Sequence, residues 1–353
     1  MFTQTLTRRA LNSRLVDLLT GPHGVDRYTE LVSPTWTAHE SRARVVAVRR
    51  STSRSVTLLL EPNQAWDARR FRAGQYVNLS VDIDGRRRTR CYSPANAEGQ
   101  RLIELTIGRH EGGLVSDYLY RHARPGMVVG LHSVGGDFVL PAIRPRSVLL
   151  ISGGSGITPV MSMLRTLLAE RYDGRLTFLH YSRTPDEACY RDELAAMTRV
   201  RVLHGYSRAP EAGDVRGYFD AEHLKAAMPD AHAVFVCGPP ALVAAVREHC
   251  PEAISESFVA PQFNVASEAT GGQVNFGAST VTVTDDGRTL LEQAEAAGLK
   301  PASGCRMGIC HSCTCRKTVG AVRNLITGAV STAESEDIQI CVSVPVGDVD
   351  IDL

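Results

Sequence analysis

Five of the nine cysteines fall after residue 300, and their spacing leaves the C-terminal end of this chain few possible folds. The stretch Ser303-Gly304-Cys305-Arg306-Met307-Gly308-Ile309-Cys310-His311-Ser312-Cys313 reads Cys-x4-Cys-x2-Cys, and a fourth cysteine, Cys341, lies in the strand-like run Ile338–Val342. Two bridged irons need four thiolates, three from a tight loop and one remote, which is this arrangement. Gly304 and Gly308 allow backbone N–H groups to approach the sulfurs and tune the potential. The alternative is structural zinc, which pairs two short Cys/His knuckles; here one partner is single and distant, so the spacing favours the two-iron reading. Cys315 sits in the same loop outside the spacing, and it reads with Cys91, Cys189 and Cys250 as a thiol without a ligand role. Nine cysteines, an odd number, are too few for a disulfide scaffold at 353 residues.

At roughly 100–200 residues per domain this length predicts two or three domains. Hydrophobic residues at 43% and charged residues at 22% exclude wholesale disorder. No apolar run reaches the ~18 residues of a bilayer span, and Met1–Ala10 has Arg8 and Arg9 with no apolar core behind them. Neither a membrane helix nor a secretory signal is therefore expected. The net charge of +1 gives no reason to expect nucleic acid. It does hide a split: residues 272–353 carry ten acidic and six basic side chains, a net of −4, which leaves +5 for the rest.

Periodicity divides the chain. Residues 1–40 hold Leu11, Leu15, Leu18 and Leu19 at helical spacing, closed by Gly21-Pro22. That reads as a short amphipathic helix packed on its own protein, with membrane or partner contact as the alternative. Across 41–144 the period becomes two, in Arg44–Val48, Val56–Leu60, Tyr76–Val81 and Leu102–Ile107, with one helix from Leu114 to about His122. Short, closely spaced strands with a single helix predict a small antiparallel β-barrel. Across 145–260 strands at Val148–Ile151, Leu176–Tyr181, Val200–Leu203 and Ala233–Val236 alternate with helices at Pro159–Arg171, Asp186–Met197 and Pro240–His249. This is a doubly wound parallel α/β domain, whose ligands sit beyond the carboxyl ends of its strands. Residues 261–272 are small and polar and read as a linker. Residues 273–353 add strands at 273–276 and 280–284, a helix at about 289–297, the cysteine loop and terminal strands.

Three further motifs lie in the first two domains. Arg90-Cys91-Tyr92-Ser93 follows the basic run Arg86-Arg87-Arg88, and strand alternation puts Arg90 and Tyr92 on one face. Gly112-Gly113-Leu114-Val115-Ser116 opens the barrel's helix, where free N–H groups make an anion site. Gly153-Gly154-Ser155-Gly156-Ile157-Thr158-Pro159 follows an apolar strand directly, with Thr158 as an N-cap and Pro159 as the first helical residue. It lacks the spacing of the common dinucleotide fingerprint, yet its glycines admit a diphosphate to a helix start. Cys237-Gly238-Pro239-Pro240 closes another strand at the same edge.

The cysteine loop and the last ~80 residues resemble plant-type ferredoxins, which implies a β-grasp α+β domain with Cys305, Cys310, Cys313 and Cys341 on a [2Fe–2S] cluster. The ordered motifs before it resemble the ferredoxin–NADP reductase superfamily over about residues 42–260. That resemblance implies a barrel binding FAD and an α/β domain binding a nicotinamide nucleotide. Arg90 would hold the flavin pyrophosphate, Tyr92 would stack on the isoalloxazine and Ser93 would bond near N5. Gly112, Gly113, Leu114, Val115 and Ser116 would supply further pyrophosphate contacts. Gly153, Gly154, Gly156, Gly238 and Pro239 would line the nucleotide edge, with Thr158 beside the nicotinamide and Cys237 close to its reacting carbon. Glu256 and Phe258 resemble, loosely, the terminal acid and aromatic of the superfamily. Ser182-Arg183 with Tyr190 resembles the set that holds the 2′-phosphate and adenine of NADPH, although Ala188 stands where a lysine is usual. No acid occupies 181–184, where an NADH enzyme places one for the ribose. FMN is the alternative to FAD, and the Gly-Gly-Leu-Val-Ser helix start favours the diphosphate.

Hydride carries two electrons and the cluster takes one, so a flavin must stand between them. The resemblance implies a reductase passing electrons from NADPH through FAD and [2Fe–2S] to an outside acceptor, in the cytoplasm or peripherally at the inner face of the membrane. Leu18-Leu19-Thr20-Gly21-Pro22-His23-Gly24 and the cysteine loop resemble actinobacterial reductases that serve membrane stearoyl-CoA desaturases. The reductase of an aromatic-ring or alkane oxygenase is the alternative acceptor system, and a redox sensor without a dedicated acceptor is the alternative of another class. Arg183→Ala should raise the steady-state KM for NADPH far more than that for NADH; equal changes would remove Arg183 from the 2′-phosphate site.

Overall fold

The computed structural model describes residues 35–37, 40–67, 71–258 and 271–353. The amphipathic helix expected at Leu11–Leu19, the Leu18–Gly24 segment and most of the expected linker lie outside them. The chain divides into two compact units, the first ending at Phe258 and the second following it, with the short segment Thr89–Cys91 grouped with the second.

The first unit begins with six strands, β1 (Arg42–Thr52), β2 (Ser55–Pro62), β3 (Tyr76–Ile83), β4 (Arg86–Tyr92), β5 (Ile103–Gly108) and β6 (Val128–Gly135). They lie in the order β4-β3-β6-β1-β2-β5, with antiparallel ladders, as the FAD-type barrel requires. Alternation sends Val45, Leu58, Leu60, Val77, Leu79, Leu105 and Leu131 into one core. Asp84 and Gly85 both have positive φ, which matches the two-residue turn that joins β3 to β4 without splaying them. Helix α1 (Leu114–His122) buries Val115 and Leu119 against this core and leaves Leu114 exposed. Strand β6 escapes the period-two pattern because Gly130, His132 and Ser133 interrupt its apolar residues.

Six parallel strands follow: β7 (Ser147–Gly153), β8 (Arg175–Ser182), β9 (Arg201–Tyr206), β10 (Val215–Arg216), β11 (Ala233–Cys237) and β12 (Ile254–Glu256). Their order is β10-β9-β8-β7-β11-β12, so the chain winds outward from β7 and then returns to its other side. The switch point, where ligands bind in such sheets, lies between β7 and β11. Every residue of β7 is buried, as a central strand covered on both faces must be. Helices α2 (Ile157–Ala169), α3 (Arg191–Ala195), α4 (Ala221–Ala227) and α5 (Pro240–His249) cover the sheet. Only five residues of the helix expected over Asp186–Met197 form α3. Tyr190, at φ 61°, breaks the chain just before it, after a 3-10 turn at Pro185–Glu187.

The second unit contains β13 (Gln273–Phe276), β14 (Val281–Thr284), β15 (Thr314–Asn324), β16 (Val330–Ser331), β17 (Glu336–Gln339), β18 (Ser343–Asp352) and helix α6 (Leu290–Ala296). The order is β14-β13-β18-β15-β16 with β17 on β15, and β13 runs parallel to β18. Thr289 and Glu292 cap α6 reciprocally, and Leu290, Leu291 and Ala294 pack on Val274, Phe276, Val349 and Ile351. Cys341 is not in a strand, contrary to expectation. Val342 N–H bonds to the Gln339 carbonyl at 3.1 Å and closes a turn there, while Ile340 N–H reaches the Cys313 carbonyl at 3.3 Å. The turn ties Cys341 to the cysteine loop, which a continuous strand could not do.

Candidate functional site

At the switch point the ends of β7 and β11 meet backbone to backbone. A Cβ on Gly156 would lie 2.3 Å from the Cys237 carbonyl oxygen and 2.8 Å from Gly238 N. One on Gly153 would lie 2.9 Å from Pro239 Cδ, so neither position admits a side chain. Gly154 has φ 54°, and among the described residues no atom lies within 4 Å of where its Cβ would stand. Gly153, Gly154, Gly156, Cys237, Gly238 and Pro239 thus share one edge, with an open cradle above it. The 3-10 turn Gly154–Gly156 runs straight into α2, so Gly156 is the N-cap. Thr158 and Pro159 are therefore the second and third helical residues, not cap and first as the sequence predicts. Thr158 is buried and its hydroxyl donates to the Ser155 carbonyl at 3.3 Å. Ladder pairing sets Cys237 beside Glu256, with the thiol 3.9 Å from Oε2. Burial pushes the Glu256 carboxyl up to about 7 and raises the Cys237 thiol as well. A buried, perturbed acid at a switch point makes Glu256 a candidate functional position.

At the outer end of the same edge, the Ser182 hydroxyl donates to the Thr184 carbonyl at 2.8 Å and Arg183 is exposed. Ser207 N–H bonds to the Ser182 carbonyl at 3.0 Å and Arg208 N–H to the Arg183 carbonyl at 2.8 Å. Two Ser-Arg pairs therefore stand side by side at the ends of β8 and β9. The sequence carries a signal for this: Tyr181-Ser182-Arg183-Thr184-Pro185 recurs as Tyr206-Ser207-Arg208-Ala209-Pro210. Tyr190, expected to stack on adenine, is elsewhere. It is buried against the barrel, its hydroxyl 2.5 Å from Thr106 Oγ1 and the Arg165 guanidinium 5.0 Å over its ring. Tertiary packing has claimed the ring, so it is not available at the nucleotide edge.

In the barrel, Arg90 and Tyr92 share a face of β4, and Tyr92 packs against the barrel core. Ser93 is 3% exposed, and its hydroxyl has no hydrogen-bond partner among the described residues. An unmatched buried hydroxyl costs about 1–3 kcal/mol, which a ring nitrogen of a bound flavin would relieve. Gly112 has φ 74° with open space around it, and Gly113 packs against Ser116 and His110. The Ser116 hydroxyl accepts from His110 N–H and donates to the Gly113 carbonyl, so it closes the turn. With Val115 buried and Leu114 exposed, only backbone N–H groups here face an anion. Asp117 in the first turn is paired with Arg109 at 2.6 Å and Arg121 at 2.7 Å, and Arg109 holds its pKa below the usual carboxylate range. These residues fit a flavin with a diphosphate tail.

Cys305, Cys310, Cys313 and Cys341 of the second unit come as two pairs. Cys305 N–H donates to Cys310 Sγ at 3.2 Å, and Met307 N–H to Cys305 Sγ at 3.3 Å. Within each pair the shared proton pulls one thiol down and pushes the other up. Cys310 falls beside Cys305, and Cys313 falls to about 7 beside Cys341. Two pairs suit two irons. A Cβ on Gly304 would lie 2.4 Å from Cys310 Sγ, and Gly308 turns at φ 72°, so the loop can fold its amides inward. Cys315 lies outside both pairs, half-buried on β15.

Known proteins share this order of domains. The models of the oxidoreductase FAD-binding domain, the oxidoreductase NAD-binding domain and the 2Fe-2S iron-sulfur cluster binding domain match residues 45–139, 150–248 and 274–346. An NADPH oxidoreductase of Mycobacterium tuberculosis is 34% identical over 95% of this chain and 90% of its own length. A glycine betaine monooxygenase reductase subunit of Pseudomonas aeruginosa is 30% identical over 80% of this chain and 87% of its own. Among solved structures, phthalate dioxygenase reductase superposes with a TM-score of 0.58 at 26% identity, covering 88% of this chain and 97% of its own. The buried acid beside Cys237 gives a test. A carboxylate there would stabilise positive charge developing on a nicotinamide ring, so flavin reduction by NADPH should speed up as pH rises through about 7. Glu256→Gln should flatten that profile in stopped-flow measurements; an unchanged profile would show that Glu256 is a bystander.

Proposed function

Since this chain belongs to the ferredoxin–NADP reductase-type flavoproteins that carry a C-terminal [2Fe–2S] domain, and is an NAD(P)H-dependent oxidoreductase, we propose that it is the NADPH-dependent reductase component of an oxygen-activating enzyme. The observation that carries this reading is the presence, in one chain, of a dinucleotide edge, a diphosphate-flavin barrel and two thiol pairs. When bound, FAD takes two electrons as hydride from the nicotinamide and releases them singly to the cluster.

The protein binds and orients. The N–H groups at Gly154–Gly156 hold the nucleotide pyrophosphate, while Thr158 and Cys237 bound the nicotinamide. Ser182 and Arg183 hold the 2′-phosphate, joined by Ser207 and Arg208. Arg90 and the start of α1 would hold the flavin pyrophosphate, Tyr92 would cover the ring and Ser93 would donate to a ring nitrogen. Cys305, Cys310, Cys313 and Cys341 would hold the [2Fe–2S] cluster. No proton-transferring carboxylate pair is needed, because positioning and charge do the work.

For the acceptor, two observations point to oxygen-activating enzymes. Two of the similar proteins are named as reductases of a monooxygenase and of a dioxygenase. Residues 18–24 and the cysteine loop resemble reductases of membrane stearoyl-CoA desaturases, which makes a fatty-acyl desaturase the specific candidate. The net charge of −4 in the last domain suits a basic docking surface, whose attraction salt should screen. No helix among the described residues is long and apolar enough to cross a membrane. None of the nine cysteines is in a disulfide, which suits the reducing cytoplasm. Holoprotein supplied with NADPH should turn over only when a cognate desaturase membrane fraction or a soluble oxygenase is added. Turnover with neither, despite full reduction by NADPH, would favour the sensor reading.

A further inference from the structure

Helix α2 carries the nucleotide-facing end of the site at its start and grips the flavin-facing segment along its length. Residues 94–98 follow Ser93 without an intervening strand or helix. Ser162, one turn after Thr158, donates its hydroxyl to the Asn96 carbonyl at 2.7 Å. Thr166, a turn further on, accepts the Glu98 N–H at 3.0 Å. Between them Arg165 donates Nη1 to the Ala95 carbonyl and to Glu104 Oε1, both at 2.9 Å. Its Nε and Nη2 reach Glu193 of α3 at 2.8 and 2.6 Å, and its plane covers Tyr190. The other partners close the frame. Asn96 Oδ1 accepts the Glu104 N–H at 3.0 Å, and Ala95 N–H reaches the Glu104 carbonyl at 2.8 Å.

We propose that Arg165 is a positioning residue for hydride transfer: its fork fixes α2, and so Thr158, against the segment that carries Ser93. The inference rests on the roles given above to Thr158 and Ser93. A guanidinium suits this task because its planar donors hold three groups in fixed directions, which an ammonium cannot do. The nicotinamide loses two electrons and a proton as hydride and the flavin gains them, so Arg165 supplies no atom or electron and acts through distance alone. Misplacement of reacting atoms by about 1 Å lowers such a rate by about 10²-fold while leaving ligand contacts remote from the reacting carbon in place.

The test uses holoprotein carrying flavin and cluster, with stopped-flow bleaching of the flavin by NADPH and by NADPH deuterated at the transferred position. For Arg165→Met the limiting rate should fall about 10²-fold, with the NADPH dissociation constant nearly unchanged and the isotope effect fully expressed. Arg165→Lys should recover part of the rate. Arg144→Met, which breaks the pair with Glu170 at the far end of the same helix, should behave as wild type. If Arg165→Met does not load flavin, Glu104→Gln should show a smaller loss of the same kind, in rate and not in affinity. An unchanged limiting rate in Arg165→Met, or an equal loss in Arg144→Met, overturns the inference and leaves the functional reading standing. Wild-type flavin that NADPH does not bleach would overturn both.

Discussion

Hydride passes only between rings in contact, and here the two rings are held by different domains, so the domains must be fixed relative to each other. Burial of α2 meets that constraint. Ala73, Ala95, Phe138 and Leu140 from the barrel side share one core with Val160, Met161, Met163, Leu164 and Leu167 of α2 and with Val148, Leu150, Phe178 and Phe235 of the parallel sheet. Each large apolar side chain so buried contributes about 1.5–3 kcal/mol. Opening the boundary would also strand Arg165, Glu104 and Tyr190 without their partners. Gly74 shows how close the approach is: at φ 100°, a Cβ there would lie 2.0 Å from the Phe138 carbonyl and 2.5 Å from Met163 Cε. Barrel and nucleotide domain therefore behave as one body.

The cysteine loop answers a different constraint, the turning inward of backbone amides toward sulfur. Arg306 and His311 adopt φ of 58° and 56°, a conformation costing non-glycine residues about 1–2 kcal/mol each. Packing and polar contacts offset that strain. Arg306 pairs with Glu295 of α6 through both guanidinium arms, at 3.0 and 2.5 Å, and the capped helix holds Glu295 in place. Lys317, fully buried on β15, donates to the Gly320 and Ala333 carbonyls and has the Glu336 carboxylate 3.9 Å away to meet its charge, which fixes the chain that leads to Cys341.

What was legible in the sequence was what local chemistry dictates. Cysteine spacing announces the cluster because three thiols from one tight loop and a single remote fourth suit two bridged irons better than the paired knuckles of zinc. Gly153, Gly156 and Gly238 announce the switch point because their backbones nearly touch. The apolar runs of β7, β8 and β11 announce the parallel sheet because such strands are covered on both faces. What was not legible depended on residues far apart in the chain. The fate of Tyr190 is set by Thr106, 84 residues earlier. The closeness of Glu256 to Cys237 follows from a three-residue strand with no periodic signal. Cys341 lies on a turn because Cys313 draws Ile340 toward it, and the helix begins before Thr158 because a glycine turn winds into it. Ser207 and Arg208 are a different case: their repeat was local and visible, but its meaning required knowing that β8 and β9 are neighbours.

The central claim is that electrons reach the [2Fe–2S] cluster from the nicotinamide only through the flavin bound in the barrel. The direct measurement is anaerobic titration of the protein with NADPH, followed by visible absorbance and electron paramagnetic resonance, with and without bound FAD. Holoprotein should take up about three electrons per chain, two on the flavin and one on the cluster. Protein stripped of FAD should keep its cluster oxidised at any NADPH concentration, while dithionite still reduces it. Reduction of the cluster by NADPH in the flavin-free protein would contradict the account.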